Sequence, residues 1–136
     1  MTNKPVSNLA QRLEKELFTV TAEVTLPDSI EKEALVTRAQ MLEPYCDAIS
    51  ITDSTGAVPH FSNIAAASIL IENDIEPIIQ FSCRDRNRIA VQADVIGAHA
   101  MGVRNIFCVT GDGVQTGDHP EAKPVFDLDS VTLLTT

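Results

Sequence analysis

The sequence predicts an α/β fold with parallel strands, built as about four βα units of a TIM-type (β/α) barrel. Apolar, β-branched stretches begin near Phe18, Ala48, Ile78 and Ile106, and helical periodicity fills the segments between them. Their spacing of roughly 29 residues is close to the ~31 expected when ~250 residues are shared among eight βα units. Polar residues gather at the carboxyl end of all four strands, as Glu23, Thr52, Asp53, Gln80, Ser82, Thr110 and Asp112. A doubly wound sheet would concentrate them at a single switch point, whereas a barrel gathers its site around the whole rim.

Residues 1–17 form a leading helix, with Ser7 as its cap and Leu9, Leu13 and Leu17 on one face. After the first strand, Asp28 and Glu31 have the spacing of a capping box, and Ile30, Ala34, Val36, Ala39 and Leu42 supply a buried stripe before Pro44. Residues 62–73 are small and apolar and should be well buried. The next helix runs from about residue 87 to 101 and stops at Gly102, a residue suited to a left-handed C-cap. A polar loop then covers residues 113–124, and Asp127 or Asp129 caps a helix starting at Ser130.

Alternation of side chains divides each strand into two faces. Thr19, Thr21 and Glu23 oppose Val20, Ala22 and Val24; Ser50 and Thr52 oppose Ile49 and Ile51; Gln80 and Ser82 oppose Ile79 and Phe81. In the fourth strand, Cys108, Thr110 and Asp112 are read as the polar face against Phe107 and Val109. The apolar face would meet the helices, and the small polar face would line a ligand cavity.

Composition narrows the function. The chain has 136 residues, is 44% hydrophobic and carries a net charge of -9, which disfavours nucleic acid and an anionic membrane surface as partners. No apolar run approaches the ~20 residues of a membrane span, and the first residues lack the apolar core of a signal peptide, so a cytoplasmic location is expected. Cys46, Cys83 and Cys108 have no metal or disulfide spacing and are expected to be buried or half-buried thiols; His60, His99 and His119 are scattered, and no metal site is expected. The final VTLLTT falls inside a helical pattern, so residues 1–136 are expected to be the amino-terminal portion of one barrel domain, inactive alone.

Two acids stand out, Glu23 and Asp112, at the ends of the first and fourth strands. Across a barrel mouth they could face one cavity, where partial desolvation would suit a carboxyl group to proton donation; as solvated rim acids or caps they would carry no chemistry. Gly111, Gly113 and Gly117 in TGDGVQTGD indicate turns of positive φ more than a nucleotide loop, since neither a P-loop nor a dinucleotide fingerprint is present. Arg84, Arg86 and Arg88 oppose the dipole of the helix they precede, and need partners, either acids such as Asp85 or a bound anion.

The run of AEVTLPDS, AISITDSTG, PIIQFSCRDRNR, GVRNIFCVTGD and GDHPEAKPVFDLDSV resembles the amino-terminal half of methylenetetrahydrofolate reductases, in strand order and over nearly the whole chain from Phe18. The resemblance implies a barrel holding FAD, with NAD(P)H as electron donor and a folate as substrate. It implies that Glu23 supplies the proton that opens the folate ring, that Asp112 lies near the flavin pyrimidine edge and the pterin, and that Gly111 allows close backbone approach. Thr52, Gln80, Ser82 and Thr110 correspond to further cofactor-contacting positions. Gln80 stands where better-known members have a histidine, and Thr110-Gly111-Asp112 where they have Arg-Gly-Asp; both changes remove cationic partners of the flavin. The alternatives are a non-catalytic half-barrel that completes its sheet with another chain, and a flavin-free barrel enzyme. No lysine lies on an inward strand face, against Schiff-base chemistry. A homo-oligomer or a second protein chain is the expected protein partner.

Overall fold

The computed structural model of the chain describes residues 6–28 and 31–136. Helix α1 (Asn8–Glu14) is followed by strand β1 (Thr21–Val24), helix α2 (Lys32–Leu42), strand β2 (Ala48–Ile51), helix α3 (Asn63–Glu72), strand β3 (Pro77–Ser82), helix α4 (Arg88–Ala100), strand β4 (Asn105–Val109) and the short helix α5 (Ser130–Leu133). The four strands form one parallel sheet in the order β1-β2-β3-β4. Leu35 and Ala39 of α2, Ala66, Ala67 and Leu70 of α3, and Ala98 of α4 join Val24, Ile49, Ile51, Ile79 and Phe81 in a single core. All three helices therefore cover the same face of the sheet. Strands in sequential order with every crossover on one side are the winding of a (β/α) barrel, not of a doubly wound sheet. Burying each large apolar side chain in this layer contributes ~1.5–3 kcal/mol.

Local chemistry explains the helix ends. Asn87 caps α4 by accepting from the Ala90 N–H, and Gly102 follows the helix at φ 102°. Asp129 caps α5 with a reciprocal Thr132 capping box, which leaves Asp127 for another role. The small residues of α3 let it sit flat on β2 and β3, as the apolar run predicts. In α2, Glu31 and not Asp28 holds the N-cap position, and Leu35, absent from the predicted stripe, is its most buried large residue. Ile30 of that stripe and residues 1–5 of the leading helix lie outside the described residues.

Helix α1 is attached differently from the sequence reading. Leu13 and Leu17 are exposed, so the leucine stripe is not what holds it. Polar contacts to the amino ends of the strands do so instead. Ser7 caps the helix through its Oγ and donates to Asn105 Oδ1 (2.8 Å), and the Glu76 carboxylate accepts from the Asn8 and Leu9 N–H groups (2.7 and 2.9 Å). Glu76 thereby supplies the negative charge that a helix N-terminus favours. At the other end of the helix, Arg12 pairs with Asp47 at 2.7 Å.

Strand pairing corrects one face. Gln80 is in register with Phe107 and Ser82 with Val109, while Phe81 is in register with Cys108. Residues in register share a face, so Phe107 and Val109 lie on the concave side with Gln80 and Ser82, and Cys108 lies with the helices. The polar face predicted for β4 is thus its covered face, and Phe107 projects 53% exposed from the open one.

Candidate functional site

The uncovered face of the sheet presents Glu23 from β1, Ser50 from β2, Gln80 and Ser82 from β3, and Phe107 and Val109 from β4. Glu23 and Ser50 are direct register partners. Gln80 lies two residues beyond Ile78, the partner of Ser50, so its side chain reaches diagonally back over β2. Its Nε2 donates to Glu23 Oε2 at 2.8 Å and to Ser50 Oγ at 3.1 Å. The Gln80 backbone is pinned too, because Asn63, buried at the start of α3, donates to its carbonyl at 2.6 Å. Glu23 itself is exposed. The desolvated carboxyl expected from the sequence is not found in this open sheet; what is found is a solvent-facing acid held by one neutral donor, the Gln80 amide.

The other predicted residues divide into separate contacts. Asp112 accepts through Oδ2 from the Gly56 N–H at 3.2 Å, which ties the segment after β4 to the loop after β2. Gly111 precedes it at φ 96°, and a Cβ there would strike Ser82 Oγ and lie 3.1 Å from Arg84 Cβ. This glycine is required both by its backbone angle and by the close passage of β3. Gly113 and Gly117 do not have positive φ. Gly117 is needed for another reason, since a side chain there would strike the Ala57 carbonyl.

Three hydroxyls are committed to the backbone. Thr52, only 1% exposed, accepts from the Leu26 N–H at 3.3 Å; Ser82, equally buried, accepts from the Arg84 N–H at 3.2 Å. Thr110 turns toward α5, accepting from the Ser130 N–H at 3.0 Å and donating to Ser130 Oγ at 3.2 Å.

The three arginines beyond β3 each have an acid. Arg84 chelates Asp85 (2.9 and 2.7 Å) and donates to the Ser54 carbonyl at 3.0 Å. Arg86 grips both oxygens of Asp53 (2.6 and 3.0 Å), pairs with Asp94 at 2.9 Å, and lies 5.8 Å from the Phe81 ring centroid. Asp53 also accepts from the Ser82 N–H at 2.7 Å. Arg88 holds Asp127 through Nε, Nη2 and its own N–H, and these bonds bring the Asp127 carboxyl down to about 2. Of the two sequence readings, ion pairing among protein groups accounts for all three cations. Asp94 and Gly56 were missed as parts of this rim, while Asp53 and Ser50 were read as polar strand residues without their partners. Gly56 acts through its backbone, its N–H donating to Asp112 and its carbonyl accepting from Thr116 Oγ1, and so leaves no side-chain signal.

The cysteines are free, and burial pushes the thiols of Cys46, Cys83 and Cys108 up, away from nucleophilic reactivity. Among the described residues no helix is long and apolar enough to cross a membrane.

The FAD implied by the sequence resemblance can be tested against these groups. Phe107 offers an exposed apolar surface, Gln80 keeps its Oε1 free of Glu23, and Asp112 has a second oxygen, so the open face suits a planar polar-edged ring. The rim arginines are already neutralised and would not serve a pyrophosphate. Glu23, Ser50, Gln80 and Phe107 group on the open face, and Gly56, Gly111 and Asp112 group beyond the carboxyl ends of the strands.

The family model described as methylenetetrahydrofolate reductase matches residues 8–135. No curated protein matches the chain. With a singly wound parallel sheet and a match over nearly its whole length, the chain belongs to the methylenetetrahydrofolate reductase family.

Proposed function

We propose that the chain forms the amino-terminal half of a barrel that reduces 5,10-methylenetetrahydrofolate to 5-methyltetrahydrofolate with FAD, and that Glu23 is its proton donor. The observation that carries this reading is the carboxylate itself, an exposed acid on the concave face at the end of β1, held by Gln80 in a chain of this family. The bound flavin would supply the hydride, taken from NAD(P)H. With Oε2 engaged by Gln80, Oε1 of Glu23 is left to carry the proton that opens the folate's imidazolidine ring. Asp112, fixed by Gly56, would set the electrostatics at the polar edge of the ring system, and Phe107 would give it an apolar wall. Gln80 and Phe107 stand out as the cofactor-facing groups. Thr52, Ser82 and Thr110 would act by shaping the strand ends, since their hydroxyls already serve the backbone. The remaining strands of the barrel would come from further sequence or from a second chain, because β1 and β4 each pair on one side only.

The test is anaerobic: the purified yellow holoprotein, reduced and mixed with methylenetetrahydrofolate, should reoxidise as 5-methyltetrahydrofolate accumulates. Reoxidation without product, or a colourless protein in its complete form, would refute the reading.

A further inference from the structure

We propose that Gln80 is a positioning residue for Glu23, with Ser50 fixing which way the Gln80 amide points. The group of Gln80 that faces Glu23 is the amide NH₂, which donates to the carboxyl oxygen. That NH₂ has two protons and two partners at hydrogen-bond distance, Glu23 Oε2 at 2.8 Å and Ser50 Oγ at 3.1 Å. The Ser50 contact matters because an amide held by one bond can still rotate, whereas a second acceptor locks its plane. Gln80 is buried while Glu23 is exposed, so the anchor is the less mobile of the two. Asn63 holds the Gln80 carbonyl independently, which means that the side chain can be changed without releasing the strand.

The consequence for turnover rests on the proposed role of Glu23. A misplacement of about 1 Å in a reacting group can cost ~10²-fold in rate, so loss of the amide should act on the chemical step and not on folate binding. Gln80 is a neutral donor, which orients the acid without adding a second ionisation to the site.

Two experiments on the complete reductase test this. In kinetics, Gln80→Leu should lower kcat by ~10–100-fold with KM for the folate changed by less than ~3-fold. Gln80→His, which keeps an N–H donor, should recover most of that loss; Gln80→Glu, with the same shape but only acceptors when ionised, should not. Ser50→Ala should give a smaller loss of ~3–10-fold, as the amide regains one rotation. In ¹⁵N NMR, the Gln80 side-chain amide protons should lie downfield of free glutamine and move toward it in Glu23→Ala. Parent-like kcat in both Gln80→Leu and Gln80→Glu, or a Gln80 amide resonance indifferent to Glu23→Ala, would overturn the proposal. If the amide responds to Glu23→Ala in a protein that does not reduce folate, the contact stands and the proposed function falls.

Discussion

The rim beyond β3 and the floor of the concave face handle charge in opposite ways. At the rim every arginine is matched with an acid, Arg84 with Asp85, Arg86 with Asp53 and Asp94, and Arg88 with Asp127. On the floor, Glu23 has an amide as its hydrogen-bond partner. Paired charges at close range favour one protonation state and one geometry, which suits a frame. An acid held by a neutral donor keeps its orientation while remaining able to exchange a proton, which suits chemistry. The difference teaches that charge density alone does not locate the reactive group: the most charged sequence, SCRDRNR, builds the frame, and the isolated glutamate two strands away is the candidate.

Breaking the frame should have the largest effect on stability. Asp53→Ala removes the acceptor of both Arg86 and the Ser82 N–H and leaves a mostly buried guanidinium with Asp94 as its remaining acid and a long bond to the Ser82 carbonyl; chemical denaturation should show a loss of about 3 kcal/mol. Glu23→Gln should by contrast change stability by less than ~0.5 kcal/mol, since the site is exposed. Equal losses in the two variants would erase the distinction between frame and floor. Gly111→Ala should cost ~1–3 kcal/mol, from its positive φ and the collision with Ser82 Oγ. Pairing it with Ser82→Ala should recover part of that loss, and no recovery would mean that φ alone accounts for the effect.

Asp112→Asn keeps the acceptor for Gly56 and removes only the charge. In the flavin-loaded protein it should raise the midpoint potential, because a nearby carboxylate disfavours an anionic reduced ring. A potential that is unchanged or lower would move Asp112 away from the cofactor. The smallest effect belongs to the exposed pair at the rim's edge. Asp127 stays ionised when folded down to about 2, against 3.8 ordinarily. Its contribution to stability is therefore full above pH ~4 and disappears as pH falls from there to about 2. Thermal melts of parent and Asp127→Asn should differ slightly at neutral pH and converge across that window.

The fold was legible because its periodicity is strong: three of the four strands begin at or within one residue of their apolar runs, and α4 has both a capping Asn87 and a terminating Gly102. The first strand forms only from Thr21, since Phe18 before it is 86% exposed and has no layer to join. Glu23 and Gln80 were readable by alternation. The face of β4 was not, because Cys108, Thr110 and Asp112 alternate as a polar set although the strand ends at Val109. Beyond it Gly111, at φ 96°, resets the direction of the chain, so Asp112 reaches Gly56 by a turn and not by strand parity. Asn105 was the overlooked clue: a polar residue opening β4, it shares the concave face and bonds Ser7 and Glu76 at the amino ends of the strands. The leucine stripe of α1 misled for a related reason, since that helix is held by capping and ion pairing at its end and not by an apolar side.

Glu23 is the residue on which the proposed chemistry turns. Stopped-flow mixing of the reduced, complete protein carrying Glu23→Gln with methylenetetrahydrofolate should show flavin bound and reducible by NAD(P)H at near-parental rates, and folate reduction slowed by ~10²–10⁴-fold. Folate reduction within a few-fold of the parent would contradict it.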